Sequence, residues 1–161
     1  TIIALRITIL AYNIQYPQWL LYKTRQRHEA TAPLDPALGE ILPQLRTFLT
    51  HCGVTWTVPR ELLANASASL EECLILLQAH RRGNPHHVHA TFDAHKFVLH
   101  LAHKGEPIVI DFNPDQLWNE TETPGLELAL RVLEHYTTSI TTQTGKDGSE
   151  IVMAFEASQE S

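Results

Sequence analysis

Cysteine is scarce in this sequence, basic residues are outnumbered by acidic ones, and long apolar runs are missing altogether. Two cysteines, Cys52 and Cys73, in 161 residues are too few for a disulfide framework or a thiolate zinc site, and they suit a reducing cytoplasm. Lys and Arg number 12 against 18 Asp and Glu, a formal charge of −6, which argues against a non-specific nucleic-acid binder. The one basic cluster, Lys23, Arg25 and Arg27, is short and reads as one face of a strand. The most apolar stretch, 1-TIIALRITILAY-12, is too short to cross a bilayer and carries Arg6. It also lacks the charged start and small-residue cleavage site of a secretory signal. It reads as a strand within an N-terminal extension over 1–18. Repeats and low-complexity tracts are absent too, so neither a membrane nor a nucleic acid is expected among the partners.

What is present is a hydrophobic content of 43%, enough for one core, and a pattern of elements that assigns 19–157 to a single domain with 158–161 as a tail. The stretch 19-WLLYKTRQRHEATA-32 has the residues of a half-solvated strand, broken by Pro33 and Pro36, with Asp35 placed to cap the next element. In 37-ALGEILPQLRTFLTHCG-53, Leu38, Ile41, Leu42, Leu45, Phe48 and Leu49 recur at helical spacing. Gly53 is expected to stop this helix, and Pro43 implies a kink or a start near residue 42. A second helix, 59–80, opens at Pro59 and buries Leu63, Ala66, Leu70, Cys73, Leu74 and Leu77. Two strands come next, about 86–92 and 95–103, then the irregular segment 104–125. A third helix from Gly125 presents Leu126, Ala129, Leu130, Leu133 and Tyr136 on one face. The chain closes with a hairpin, 137–144 and 149–156, turning through Gly145, Lys146, Asp147 and Gly148. Grouped helices with mostly antiparallel strands predict an α+β fold, a two-layer sandwich of a mixed, mostly antiparallel sheet with three main helices on one face.

Six of the ten histidines lie in 85-PHHVHATFDAHKFVLHLAHKG-105. A two-residue turn at Asp93-Ala94 puts Val88, Ala90, Phe92, Phe97, Leu99 and Leu101 toward the helices. His87 and His89 then face outward, with His100 opposite His87. Such imidazoles could hold zinc or nickel, but no carboxylate or thiolate joins them at ligand spacing. The main expectation is a solvated polar sheet face with no metal, and His87, His89 and His100 are the alternative metal set.

Four segments carry a resemblance when taken in order: 69-SLEECLILLQAH-80, 103-HKGEP-107, 112-FNP-114 and 124-PGLELALRVLEHY-136. Their order and spacing resemble the GHKL superfamily of gyrase-like and histidine-kinase-like ATPases, and most nearly its HATPase_c_2 branch, the bacterial anti-sigma factor serine/threonine kinases. The resemblance covers roughly 20–156. It implies a helix bearing a base Glu, an Mg²⁺-holding Asn four residues on, and often a His four further. The matching positions here are Glu72, Leu76 and His80. Glu72 is the implied catalytic base, and its plainer reading is an exposed helix carboxylate beside Glu71. Leu76 offers no oxygen to a hard cation.

The resemblance further implies an adenine-binding Asp followed by Gly and, in this branch, Pro. His103 takes the Asp place, while Gly105 and Pro107 match. Phe112, Asn113 and Pro114 resemble the end of that motif after the apparent insertion 108-IVID-111, whose Asp111 is a substitute acceptor if the loop shifts. The last motif is a Gly-rich, phosphate-cradling turn. There Gly125 fits, but Glu127 replaces the next glycine and repels phosphate. Glu127 equally suits the first turn of any helix.

Three replacements in one implied site, Leu76, His103 and Glu127, lead to the expectation of a cytoplasmic anti-sigma-like regulatory protein acting by protein–protein binding, with ATP and Mg²⁺ binding impaired or absent. The implied partner is a sigma factor, an anti-sigma antagonist or a response regulator, with a homodimer as a further form. Trp118, in the segment matching the family's lid, either presents itself to that partner or fills the core. The alternatives are an active ATP-dependent serine/threonine kinase of the anti-sigma type, and a histidine-rich metal sensor.

Overall fold

The computed structural model describes residues 28–112 and 126–157. The expected strand over 1–16, the first part of the 19–32 strand, Gly125 and Trp118 lie outside the described residues. Chain order is β1 (His28–Pro33), a 3-10 turn (Pro36–Leu38), α1 (Ile41–Trp56), α2 (Arg60–Ala79), β2 (His87–Asp93), β3 (Lys96–His103), α3 (Leu126–Tyr136), β4 (Ser139–Gly145) and β5 (Gly148–Glu156). The strands form one five-stranded sheet in the order β1-β2-β3-β5-β4, and every pairing in it is antiparallel. The molecule is the expected two-layer α+β sandwich.

Asp35 caps the 3-10 turn, its Oδ1 accepting from the Ala37 N–H at 2.9 Å. Gln44 ties this turn to α1: its Nε2 donates to the Asp35 carbonyl at 2.8 Å, and its Oε1 accepts from the Asp35 N–H at 3.1 Å. Pro43 falls in the first turn of α1, where no helical hydrogen bond is lost, so neither a kink nor a late start is needed. Leu38 lies in the 3-10 turn and is 80% exposed, outside the buried stripe in which its spacing places it.

Gly53 does not stop α1. The helix runs three residues past it and ends at Thr57, whose φ of 54° is left-handed. A Cβ at Gly53 would sit 2.5 Å from Leu63 Cδ1, so this glycine is a place where α1 and α2 approach closely. Helix geometry and the local pattern could not distinguish a stop from a close crossing, because the decisive neighbour is on another element. The buried face of α2 is also rotated from expectation. Leu62, Ser69 and Leu76 are buried together with Ala66, Leu70, Cys73 and Leu77, whereas Leu63 and Leu74 are half-buried. The rotation arises because α2 packs against α1, α3 and the sheet at once, which buries more than one stripe.

On the sheet side, Val88, Ala90, Phe92, Phe97, Leu99 and Leu101 all face the helices, as do Ile151, Met153 and Phe155. The turn of the first hairpin falls at Ala94-His95 rather than Asp93-Ala94, with Asp93 paired to Lys96 and Ala94 at a φ of 52°. That shift moves the register by two residues, which preserves the faces but changes the partners. His100 therefore stands opposite His89, not His87, and His87 opposite Ala102. Tyr136, expected on the buried face of α3, is 37% exposed at the helix end.

Candidate functional site at the ends of α2 and β3

α2 carries Glu72, Leu76 and His80 on successive turns, so Glu72 and His80 are separated by about 12 Å along the axis. Leu76 is 1% exposed and belongs to the core. Glu72 is half-buried, and partial loss of water, reinforced by Glu71, raises its carboxyl above the usual range. His80 closes the helix, its N–H donating to the Leu76 carbonyl at 3.0 Å. Among the described residues no hydrogen bond or ion pair joins Glu72 to His80 or His103.

β3 delivers His103 to the interior, fully buried. Its Nδ1 lies 2.9 Å from the Lys104 carbonyl oxygen, which can only accept, so Nδ1 carries the proton. In the neutral ring Nε2 is then a bare acceptor, and it is buried with no hydrogen-bond partner among the described residues. An unpaired buried acceptor costs on the order of 1–3 kcal/mol. Beyond it the chain turns at Gly105, φ 91°, whose carbonyl accepts from Ser149 Oγ at 2.8 Å. Gly148, φ 138°, lies so close under the His103 carbonyl that a Cβ there would overlap it. Pro107 is half-buried and Ile108 is 2% exposed; Ile110 and Phe112 pack against the core, while Val109 points out at 78% exposure.

One side chain joins the two halves of this region. Arg82 donates through Nη1 to the His80 carbonyl at 2.9 Å and through Nε to the Glu106 carbonyl at 3.0 Å. A Cβ at Gly105 would touch Arg82 Cδ at 3.0 Å, so the glycine leaves room for the clasp. Sequence reading gave no role to Arg82 or Ser149 and read Gly148 only as part of the last hairpin turn. No local signal marks them, since Arg82 reaches Glu106 24 positions on, Ser149 reaches Gly105 44 positions back, and Gly148 lies against His103 on another strand. Of the implied nucleotide residues, the structure thus links His80, through Arg82, to the turn that holds Gly105 and Glu106, just after His103. It sets Leu76 in the core and leaves Glu72 about two helical turns before His80. Glu127 pairs with Arg131 one turn on, at 3.9 Å, which accounts for it as a helix residue.

The outward histidines form a different arrangement. His89 Nε2 lies 2.9 Å from Glu29 Oε1, and the His89 and His100 rings meet edge-on with centroids 5.4 Å apart. His100 Nδ1 faces Glu150 Oε1 at 3.4 Å, and Gln143 Nε2 donates to the same oxygen. Glu29, His89, His100, Glu150 and Gln143 therefore cross all five strands as one polar ladder. Desolvation lowers the His89 pKa most strongly, aided by His100 and His87 and opposed by Glu29 and Glu150. Among the described residues no group of three or more His, Cys, Asp or Glu side chains is arranged to hold a metal ion. Of the alternative set His87, His89 and His100, His87 stands opposite Ala102, and the other two are each turned to a carboxylate.

The chain matches no known family model and no curated protein.

Proposed function

We propose that this chain is a regulatory protein of the anti-sigma type, built on a histidine-kinase-like ATPase fold and acting by binding a protein partner, with nucleotide binding impaired or lost. The observation that carries this reading is Leu76. At 1% exposure it is a packing residue, in the place where the resemblance requires an oxygen ligand for Mg²⁺. His103 supports it, since a buried imidazole replaces the expected carboxylate and spends Nδ1 on its own loop. The Arg82 clasp across the His80 and Glu106 carbonyls holds the loop to the end of α2, and Ile108 on that loop is buried. A sigma factor, an antagonist or a response regulator is the class of partner, and exposed Val109 lies on the segment leading to Trp118.

Calorimetric titration of ATP and ADP with Mg²⁺ tests the reading. The expected outcome is no binding heat and no thermal stabilisation. Micromolar binding that disappears in Gly125→Trp would overturn it. One observation favours the second reading, a serine/threonine kinase: the raised carboxyl of Glu72 suits a general base. Phosphate transfer to a protein partner, lost in Glu72→Ala, would establish that reading instead.

A further inference from the structure

The arginines of the fold are held in different ways. Arg46 pairs with Glu71 at 3.6 Å, and Arg131 with Glu127 at 3.9 Å. Arg82 has no such carboxylate among the described residues. Its Nη1 donates to the His80 carbonyl at 2.9 Å and its Nε to the Glu106 carbonyl at 3.0 Å. A carbonyl oxygen carries only partial charge, so these two bonds fix the guanidinium plane without neutralising it. Gly105 keeps the path of the side chain open, since a Cβ there would stand 3.0 Å from Arg82 Cδ and 3.3 Å from its Nε. One N–H of Nη1 and both of Nη2 make no hydrogen bond to a described residue.

We propose that Arg82 is the receptor for a carboxylate, an Asp or Glu side chain of the protein partner, held through both of its oxygens by the remaining Nη1 and Nη2 donors. The inference rests on the proposed partner-binding role and adds the chemistry of one contact to it. A planar carboxylate matches one N–H from each Nη, the end-on form of the arginine fork. The fold has already ordered the side chain, so little rotamer freedom is left to lose on binding. Arg81 beside it and Lys104 just before the turn are exposed and add positive charge, against the single carboxylate of Glu106. In a chain of net charge −6, a basic corner of this kind selects an acidic partner. Its neighbours also choose between oxyanions. The His80 and Glu106 carbonyls and the Glu106 carboxylate are all acceptors, and they oppose a phosphoryl dianion more strongly than a singly charged carboxylate.

Titration with a capped peptide, acetyl-Ala-Glu-Ala amide, at low ionic strength reads this contact through NMR of the arginine side-chain N–H groups. The Arg82 Nε–H signal is assigned through its own backbone. The Glu peptide is expected to shift that signal and saturate on the order of millimolar, whereas the matched acetyl-Ala-Gln-Ala amide leaves it in place. Arg82→Lys keeps the charge but not the fork, and is expected to weaken binding at least about fivefold. Arg81→Gln removes a neighbouring exposed charge and should weaken it by no more than about twofold. If Arg82→Lys fails to fold, the two peptides on the wild-type chain decide. An Arg82 signal that neither peptide moves, or that the Gln peptide moves equally, overturns the proposal. So does inorganic phosphate that binds at Arg82 more tightly than the Glu peptide. The anti-sigma reading is judged separately by the ATP titration. With no nucleotide bound, failure here removes this contact alone, whereas ATP that binds and shifts the Arg82 signal removes both.

Discussion

Leu76 and His103 enter the interior from opposite layers, one from α2 and one from β3, and together they define what the region can do. Leu76 adds the transfer energy of a fully buried leucine, about 1.5–3 kcal/mol. Restoring the oxygen that the resemblance calls for should therefore unfold the chain rather than activate it. Leu76→Asn is expected to cost about 3–5 kcal/mol in urea denaturation, the sum of lost packing and a buried amide without partners, and to bring no Mg-ATP binding. Leu76→Met should stay within about 1.5 kcal/mol. A stable Leu76→Asn protein would mean the side chain reaches solvent. His89 supplies a second test at this scale. Its pKa lies below the ordinary 6.5, so the unfolded chain takes up the proton more readily than the folded one. The stability this gives is present above pH 6.5 and is lost as pH falls through the lower folded value. His89→Asn should make the decline of stability below pH 6.5 shallower in urea melts collected across pH, and an unchanged slope would refute that role.

At the scale of elements, the contact between α1 and α2 at Gly53 is the most exacting. Alanine would gain about 1 kcal/mol of helix propensity there. Yet its Cβ would meet Leu63 Cδ1 at 2.5 Å, and the half-buried leucine must move or the helices must separate. Gly53→Ala is expected to lower stability, whereas the same change in a Leu63→Ala background should raise it. The coupling between the two, read from a double-mutant cycle in urea, should be about 1–2 kcal/mol. Additive effects would mean that α1 and α2 are not held at this distance. The same crossing explains why a glycine at the tail of a helical pattern is legible as a stop but is not one. A pattern records which face is apolar, not how near the next helix comes.

For the molecule as a whole, the sheet order matters more than any single strand. β5 inserts between β3 and β4, so the C-terminal hairpin reaches the middle of the sheet and brings Ser149 and Gly148 under the turn after His103. That placement lets a strand 44 residues downstream hold the Gly105 carbonyl, and it sets β4 outside β5 in the described sheet. Among the described residues no helix is long and apolar enough to cross a membrane. Closure of the His103 region and the polar ladder on the far face are thus two consequences of one topology.

The sequence by itself determined the types of the elements, their approximate limits and the inward face of every strand in the first hairpin. These arise from periods of 2 and 3.6 residues, which act over a few positions and need no partner. It also made His80, His103, Gly105 and Pro107 readable as one candidate group, because their order along the chain carries the resemblance. Only the tertiary structure decided that Arg82 joins the His80 and Glu106 carbonyls and that α2 buries Leu76 and Leu62. It also decided that His89, rather than His87, meets His100 and that Glu29 and Glu150 flank the pair. Each of these depends on how two distant segments settle against one another. A two-residue change in a turn is enough to alter it while leaving the local pattern untouched.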